Sequence, residues 1–224
     1  MDDTTTLRCK GILFDMDGTL VDSSAVIERA WKWWSARHSV ELAQIMAVQQ
    51  GRPNRDVLKE FASHLDIDEE AALFLKFEEE DLGDLVAIPG ANGAVNAARG
   101  GRWGIVTSAN RSLAEIRLRA TGFPVPDVFI SADVIRHGKP DPECYLLGAE
   151  ELGVDPRDCI VFEDAVAGVQ AGKAAGMTVI GVLTNLTEAD LRADAHLRDF
   201  RGIRIAQDGA GEYEIRIRPA ESEC

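Results

Sequence analysis

Four short apolar runs recur along the chain: Gly11–Phe14, Trp103–Val106, Cys159–Phe162 and Thr178–Val182. Each is compact, apolar and partly β-branched, as befits a strand covered on both faces; a strand with one wet face would alternate polar and apolar residues. Segments with helix ends lie between the later runs. Ser112–Ala120 leads into Thr121-Gly122, Asp141-Pro142 opens a helix that stops at Gly153, and Ala165–Ala175 stops at Gly176. This alternation predicts an α/β fold, a Rossmann-like parallel sheet with helices on both faces.

One stretch breaks the rhythm. From about Asp22 to Ile88 the periodicity is helical, with no convincing strand. Ile27, Ala30, Trp31 and Trp34 fall at i, i+3, i+4 and i+7, the stripe of an amphipathic helix. Phe61, Leu65, Leu73, Phe74 and Phe77 suggest further helices, with breaks at Gly51-Arg52-Pro53-Asn54 and Asp66–Glu69, and Pro89-Gly90 closes the stretch. The reading is two domains: an α/β core of residues 1–21 and 89–224, and an inserted all-helical domain of residues 22–88 whose Trp and Phe residues form its own core. At the tail, Ile203, Ile205, Ile215 and Ile217 alternate with polar residues around Asp208-Gly209-Ala210-Gly211, which predicts a C-terminal β-hairpin.

Charge narrows the partners. Lys plus Arg number 24 against 38 Asp plus Glu, a net charge of −14. Nucleic acids and anionic membranes reward clustered Lys and Arg, so neither is expected as a partner. A phosphorylated small molecule remains compatible, because a metal or a few placed cations overcome the global field locally. Cys9, Cys144, Cys159 and Cys224 show no CxxC or zinc-type spacing, and the first ten residues contain no signal-peptide core. A reducing, cytoplasmic setting is expected.

The unusual polar residues cluster just past the predicted strands. Asp15-Met16-Asp17-Gly18-Thr19-Leu20-Val21-Asp22 follows the first, and its carboxylates two residues apart in extended chain point the same way. Such a pair binds a divalent cation or divides into nucleophile and acid/base; as a plain motif it is also an Asp-rich turn that caps the next helix. Thr107-Ser108-Ala109-Asn110 follows the second run and offers hydroxyls and N–H groups to a phosphate, or a simple helix cap. Lys139 sits between Gly138 and Pro140 in a stiff loop, and Glu163-Asp164 follows the third run. In an open parallel sheet ligands bind beyond the carboxyl ends of the strands, where Asp15, Asp17, Thr107, Glu163 and Asp164 fall, with Lys139 in a loop able to reach the same edge. The four histidines show no metal spacing and are read as surface or loop residues, Glu78-Glu79-Glu80-Asp81 as a solvated helix face, and Asp2-Asp3 as a frayed end.

Taken together, the four clusters resemble the four motifs of the haloacid dehalogenase-like hydrolase superfamily, over nearly the whole chain. The helical insertion is similar to the cap of the β-phosphoglucomutase-like and sugar-phosphatase branch. Arg8-Cys9-Lys10-Gly11, Glu28-Arg29-Ala30-Trp31, Lys139-Pro140-Asp141-Pro142, Tyr145-Leu146-Leu147-Gly148-Ala149 and the hairpin tail look most like bacterial sugar phosphatases. The resemblance implies a phosphatase for small sugar or polyol phosphates. Asp15 would be the nucleophile that forms an aspartyl phosphate, and Asp17 the acid/base. Mg²⁺ would be held by Asp15, the Asp17 carbonyl and Asp164. Thr107, Ser108, Asn110 and Lys139 would bind phosphate, and Glu163 would orient Lys139 or a metal-bound water. Ser23, Ser24, Arg52, Asn54 and Arg55 are candidates to face the sugar, and a monomer is expected.

The nearest rival is a β-phosphoglucomutase-type isomerase, which shares all four motifs. Its first cap helix carries a histidine where this chain has Ile27. A dehalogenase would not use the second aspartate, and the cap lysines Lys32, Lys59 and Lys76 lack a phosphonate-hydrolase context. A non-catalytic binding module would be expected to lose the nucleophile.

Overall fold

The structure is a computed structural model that describes residues 4–218. Strand β1 is Thr5–Cys9 and β2 is Gly11–Phe14. The short β3, Val21–Asp22, leads into four helices: α1 Ser24–His38, α2 Leu42–Met46, α3 Asn54–Ala62 and α4 Ile67–Glu80. After β4, Val86–Ala87, come α5 Ala91–Ala98, β5 Trp103–Val106, α6 Arg111–Ala120 and β6 Val128–Ile130. The chain continues through α7 Glu143–Leu152, β7 Cys159–Glu163, α8 Val166–Ala174, β8 Thr178–Val182, α9 Glu188–Leu191 and β9 Ala195–Leu197. It closes with β10 Ile203–Gln207 and β11 Tyr213–Ile217.

Among the described residues a six-stranded parallel sheet runs β6-β5-β2-β7-β8-β9. From β2 the chain builds outward through β5 and β6, then crosses to β7 and builds the other way. The topological switch therefore lies where β2 adjoins β5 and β7, and the ends of these three strands frame the position where such sheets bind ligands. The four predicted strands are all in this sheet, with Glu163 added to β7. The edge strands β6 and β9 add to the four expected from the sequence; each is three residues long and incompletely buried, so neither makes an apolar run that stands out.

The sheet is covered on both faces. One face meets a cluster around Ile12, Phe14, Ile105 and Phe162, where the Phe14 and Phe162 rings stack at 5.0 Å. The other meets Leu13, Val106, Val161, Tyr145 and Val169. The hairpin β10–β11 forms as expected, but β1 pairs antiparallel with β11 to make a three-stranded sheet, order β1-β11-β10. The polar segment Thr5–Cys9 is a strand because β11 supplies its partner, not because of its own pattern.

The four helices α1–α4 carry a separate buried cluster. Trp31, Trp34 and Phe74 are its largest members, with Trp31 packed on Phe74 at 4.3 Å and edge-on to Trp34 at 6.0 Å. The stretch is helical as its periodicity predicts, except at its two ends. Val21–Asp22 and Val86–Ala87 pair antiparallel, tying together the two chain segments that enter and leave the helical stretch. Cys9, Cys144 and Cys159 are buried free thiols. No helix among the described residues is long and apolar enough to cross a membrane. Asp2-Asp3 and Cys224 lie outside the described residues.

Candidate active site

Strand ends deliver the polar residues to one place. Asp15 follows β2 directly, and its N–H donates to Phe162 O at 3.0 Å. Thr107 follows β5, and its N–H donates to Ile130 O at 2.9 Å, fixing it against β6. Glu163 ends β7 and Asp164 comes next. Lys139 arrives on the loop before α7, with a cis peptide to Pro140. The inter-strand bonds reach one residue beyond β2 and β5, to Asp15 and Thr107, and hold these residues at the switch point.

Lys139 is the hub. Its ammonium is buried and donates to Asp15 Oδ1 at 2.6 Å, Glu163 Oε1 at 2.5 Å and Val106 O at 3.5 Å. Burial alone would depress its pKa, but Asp15 and Glu163 outweigh burial and hold it above the usual lysine range. Glu163 is fully committed to structure. Its Oε1 also accepts from Tyr145 OH at 2.9 Å, and its Oε2 accepts from Ala165 N at 3.1 Å. Gly168, in the first turn of α8, is needed for that fit, because a Cβ there would overlap the Glu163 carboxylate. These contacts set Glu163 directly against Lys139.

Asp164 is held differently. Thr19 Oγ1 donates to its Oδ1 at 3.3 Å, and Gln50 Nε2, from the segment between α2 and α3, donates to its Oδ2 at 2.9 Å. Gly18 turns the chain at φ 83°, and a Cβ at that position would fall on the Asp164 carboxylate. Asp15, Glu163 and Asp164 bring carboxylate oxygens within 4.8 Å of one another. Burial, then the charge of Glu163, pushes both Asp15 and Asp164 well above the ordinary carboxylate range. One lysine against three buried carboxylates leaves excess negative charge, and hard oxygen donors suit a hard divalent cation. Asp15 and Asp164 border the cavity above them and Glu163 does not, so Asp15 and Asp164 are the side chains that fit such an ion.

Above this floor lies a cavity of about 270 Å³ whose walls include Asp15, Asp17, Thr107, Ser108 and Asp164. Ser23, Ser24, Ile27, Arg52 and Asn54 line it as well, whereas Arg55 lies on an adjacent groove. Ser108 Oγ donates to Gly51 O at 2.9 Å, bridging α6's entry to the helical segment. Asn110 is not brought to this cavity: it stands at the N-cap position of α6, and its side chain donates to Asp133 Oδ1 at 2.7 Å. Among the described residues no histidine lines the cavity.

Sequence reading missed the residues that reach Asp17. Arg117 on α6 donates from Nη1 to Asp17 Oδ1 and from Nη2 to Glu78 Oε1, both at 2.9 Å. Asn54 Nδ2 donates to Glu78 Oε2 at 2.8 Å. Glu78 is thus not on a solvated face; it is buried, and burial pushes its carboxyl up to about 7 although Arg117 pulls it down. A signal existed in the helical register. Leu113, Ala114, Arg117 and Leu118 are the buried stripe of α6, and Phe74 and Glu78 that of α4, so each charge occupies an apolar position. A charge in a buried stripe needs a buried partner.

Comparisons with known proteins agree with this geometry. The family model of haloacid dehalogenase-like hydrolases matches residues 9–176. Hexitol phosphatase A of Escherichia coli (strain K12) is 40% identical over 83% of this chain and 90% of its own. Validoxylamine A 7'-phosphate phosphatase of Streptomyces hygroscopicus subsp. limoneus is 36% identical over 87% of this chain and 96% of its own. A solved structure of a hydrolase from Pseudomonas syringae superposes with TM-score 0.76 and 25% identity, covering 85% of this chain and 94% of that one. A match over most of the chain, with the switch-point residues inside it, places this protein in the haloacid dehalogenase-like hydrolase family.

Proposed function

We propose that this phosphoric monoester hydrolase is a Mg²⁺-dependent phosphatase of small phosphorylated sugars or polyols, working through an aspartyl phosphate in the cytoplasm as a monomer. The observation that carries the reading is Lys139 bonded to both Asp15 and Glu163, behind a cavity that Asp15 and Asp164 line. The names of the relatives supply the substrate class.

Residues 1–21 and 89–224 form the catalytic core in this proposal, and residues 22–88 the cap. Lys139 occupies Asp15 Oδ1, so the other carboxylate oxygen attacks phosphorus. Asp15, Asp164 and the Asp17 carbonyl would hold Mg²⁺, which would supply the positive charge a carboxylate needs to approach a phosphate dianion. Thr107, Ser108 and Lys139 bind the phosphoryl oxygens as charge redistributes. Asp17 gives its proton to the leaving oxygen, then takes one from the water that hydrolyses the aspartyl phosphate. The Asn110 side chain has no part, being bonded to Asp133.

Metal binding is expected to be pH-dependent. Because Asp15 and Asp164 are raised in the fold, the native state without metal binds protons that the unfolded chain has released. Metal-free stability therefore falls as pH rises from the ordinary carboxylate range through the raised one. Mg²⁺ needs both groups ionised and gains affinity over the same interval. The rise in Tm between EDTA and excess Mg²⁺, followed by differential scanning fluorimetry, is expected to be larger at pH 8 than at pH 6. A larger shift at pH 6 contradicts this assignment of ligands.

Ile27 lines the cavity at the position where the mutase histidine is expected, which favours hydrolysis over transfer to a second hydroxyl. The enzyme incubated with β-glucose 1-phosphate and a trace of glucose 1,6-bisphosphate is expected to release inorganic phosphate without isomerised product. Glucose 6-phosphate forming faster than free phosphate replaces this reading with the mutase.

A further inference from the structure

We propose that the leaving-group side of the cavity is built to reject a second anion, so that the substrates are monophosphates whose remaining groups are uncharged hydroxyls, and that Glu78 enforces this by occupying Arg117. The inference rests on the phosphatase reading and says which charge class of ester that site accepts.

The charges around the cavity carry it. Beyond Asp15 and Asp164 at the floor, the walls bear Asp17, Glu78 and, at the rim, Glu28. Arg52 and Arg117 are the cations of this lining among the described residues. Arg117 is buried, with its two terminal nitrogens spent on Asp17 and Glu78. Arg52 turns to Glu60 at 2.9 Å and to Val48 O at 3.4 Å. Lys139, behind Asp15, is bonded to two carboxylates. A bound phosphoryl group draws on Lys139 and the metal; a second carboxylate or phosphate would find carboxylates around it, Arg117 spent on two of them, and Arg52 available on leaving Glu60. An anion desolvated without a partner is strongly disfavoured.

A hydroxyl meets the opposite situation. Among the described residues Ser23 Oγ is buried without a hydrogen-bond partner, although Ser23 borders the cavity and stands at the N-cap of α1. A serine at an N-cap ordinarily bonds a helix N–H, and this one does not. Its hydroxyl both donates and accepts, so it pairs with a ligand hydroxyl, and the Glu28 carboxylate at the rim accepts another.

Two open-chain esters isolate the charge. Glucitol 6-phosphate and 6-phosphogluconate share six carbons and the phosphate position, and differ at C1, a hydroxymethyl group in one and a carboxylate in the other. The expected kcat/KM ratio favours glucitol 6-phosphate by roughly 100-fold, the scale of like-charge juxtaposition. A ratio below about tenfold overturns the inference. Glu78→Gln leaves Arg117 partly uncompensated, so the ratio is expected to fall by about tenfold or more; an unchanged ratio removes Glu78 from the role. Should that variant not fold, the wild-type ratio still decides. Ser23→Ala is expected to lower kcat/KM for glucitol 6-phosphate by roughly tenfold, one hydrogen bond's worth, and no loss removes Ser23. p-Nitrophenyl phosphate separates the two levels. Phosphate from none of the three esters removes the phosphatase reading and this inference together; hydrolysis of all three, with the six-carbon pair cut equally, removes this inference alone.

Discussion

Asp15→Asn is expected to lower turnover by at least roughly 10⁴-fold, the scale seen when a covalent nucleophile is removed, while the protein stays folded. The amide keeps the shape of the carboxylate but is a poor nucleophile toward phosphorus. Lys139 does not become an orphaned buried cation, because Glu163 Oε1 and Val106 O still accept from it. The substitution also removes one of three carboxylates crowded within 4.8 Å, where burial and mutual repulsion already disfavour the charged form. Stability without metal is therefore expected to hold or rise, and the gain in Tm on adding Mg²⁺ to shrink. Loss of activity with an unfolded protein would not distinguish chemistry from structure; loss with an unchanged or higher Tm does. Phosphate release within tenfold of wild type, from protein free of contaminating phosphatase, rejects covalent catalysis by Asp15.

Charge balance makes the same region legible in the sequence and hides its neighbours. Asp15, Asp17, Thr107 and Asp164 stand in loops directly after short apolar strands, and β-α alternation alone brings strand ends to one edge, while Lys139 comes on the loop that leads into α7. Glu78, Arg117 and Gln50 reach the same cavity from helices or from a connection far along the chain. Periodicity says which face of α4 or α6 is buried, but not that the two faces meet each other beside Asp17. The acidic run at 78–81 shows the cost of reading composition before register. Glu78 occupies the Phe74 stripe and is buried, while Asp81, past the helix end, bonds Arg29. Strand β1 was hidden for another reason: its pattern is polar, and its partner β11 lies at the far end of the chain. Edge strands β6 and β9 are too short to announce themselves.

Asp17→Asn tests the acid/base separately from the nucleophile, because the two losses have different leaving-group signatures. Asparagine retains an oxygen that can accept from Arg117 Nη1, the bond Asp17 Oδ1 makes at 2.9 Å, so the side chain is expected to keep its place. What it lacks is a transferable proton. A sugar alkoxide leaves poorly without one, whereas p-nitrophenolate leaves readily as the anion. For a sugar or polyol phosphate, kcat/KM is expected to fall by roughly 10²–10⁴-fold, the usual worth of general acid–base catalysis; for p-nitrophenyl phosphate it falls much less. Hydrolysis of the aspartyl phosphate also needs Asp17, now as base, so the second step slows for every substrate. Rapid-quench experiments with p-nitrophenyl phosphate are then expected to show a burst of nitrophenol approaching one per enzyme, followed by slow turnover. A merely structural role for Asp17 predicts something else: equal losses of kcat/KM on both esters and no burst, an outcome that would remove Asp17 from proton transfer while leaving Asp15 as nucleophile.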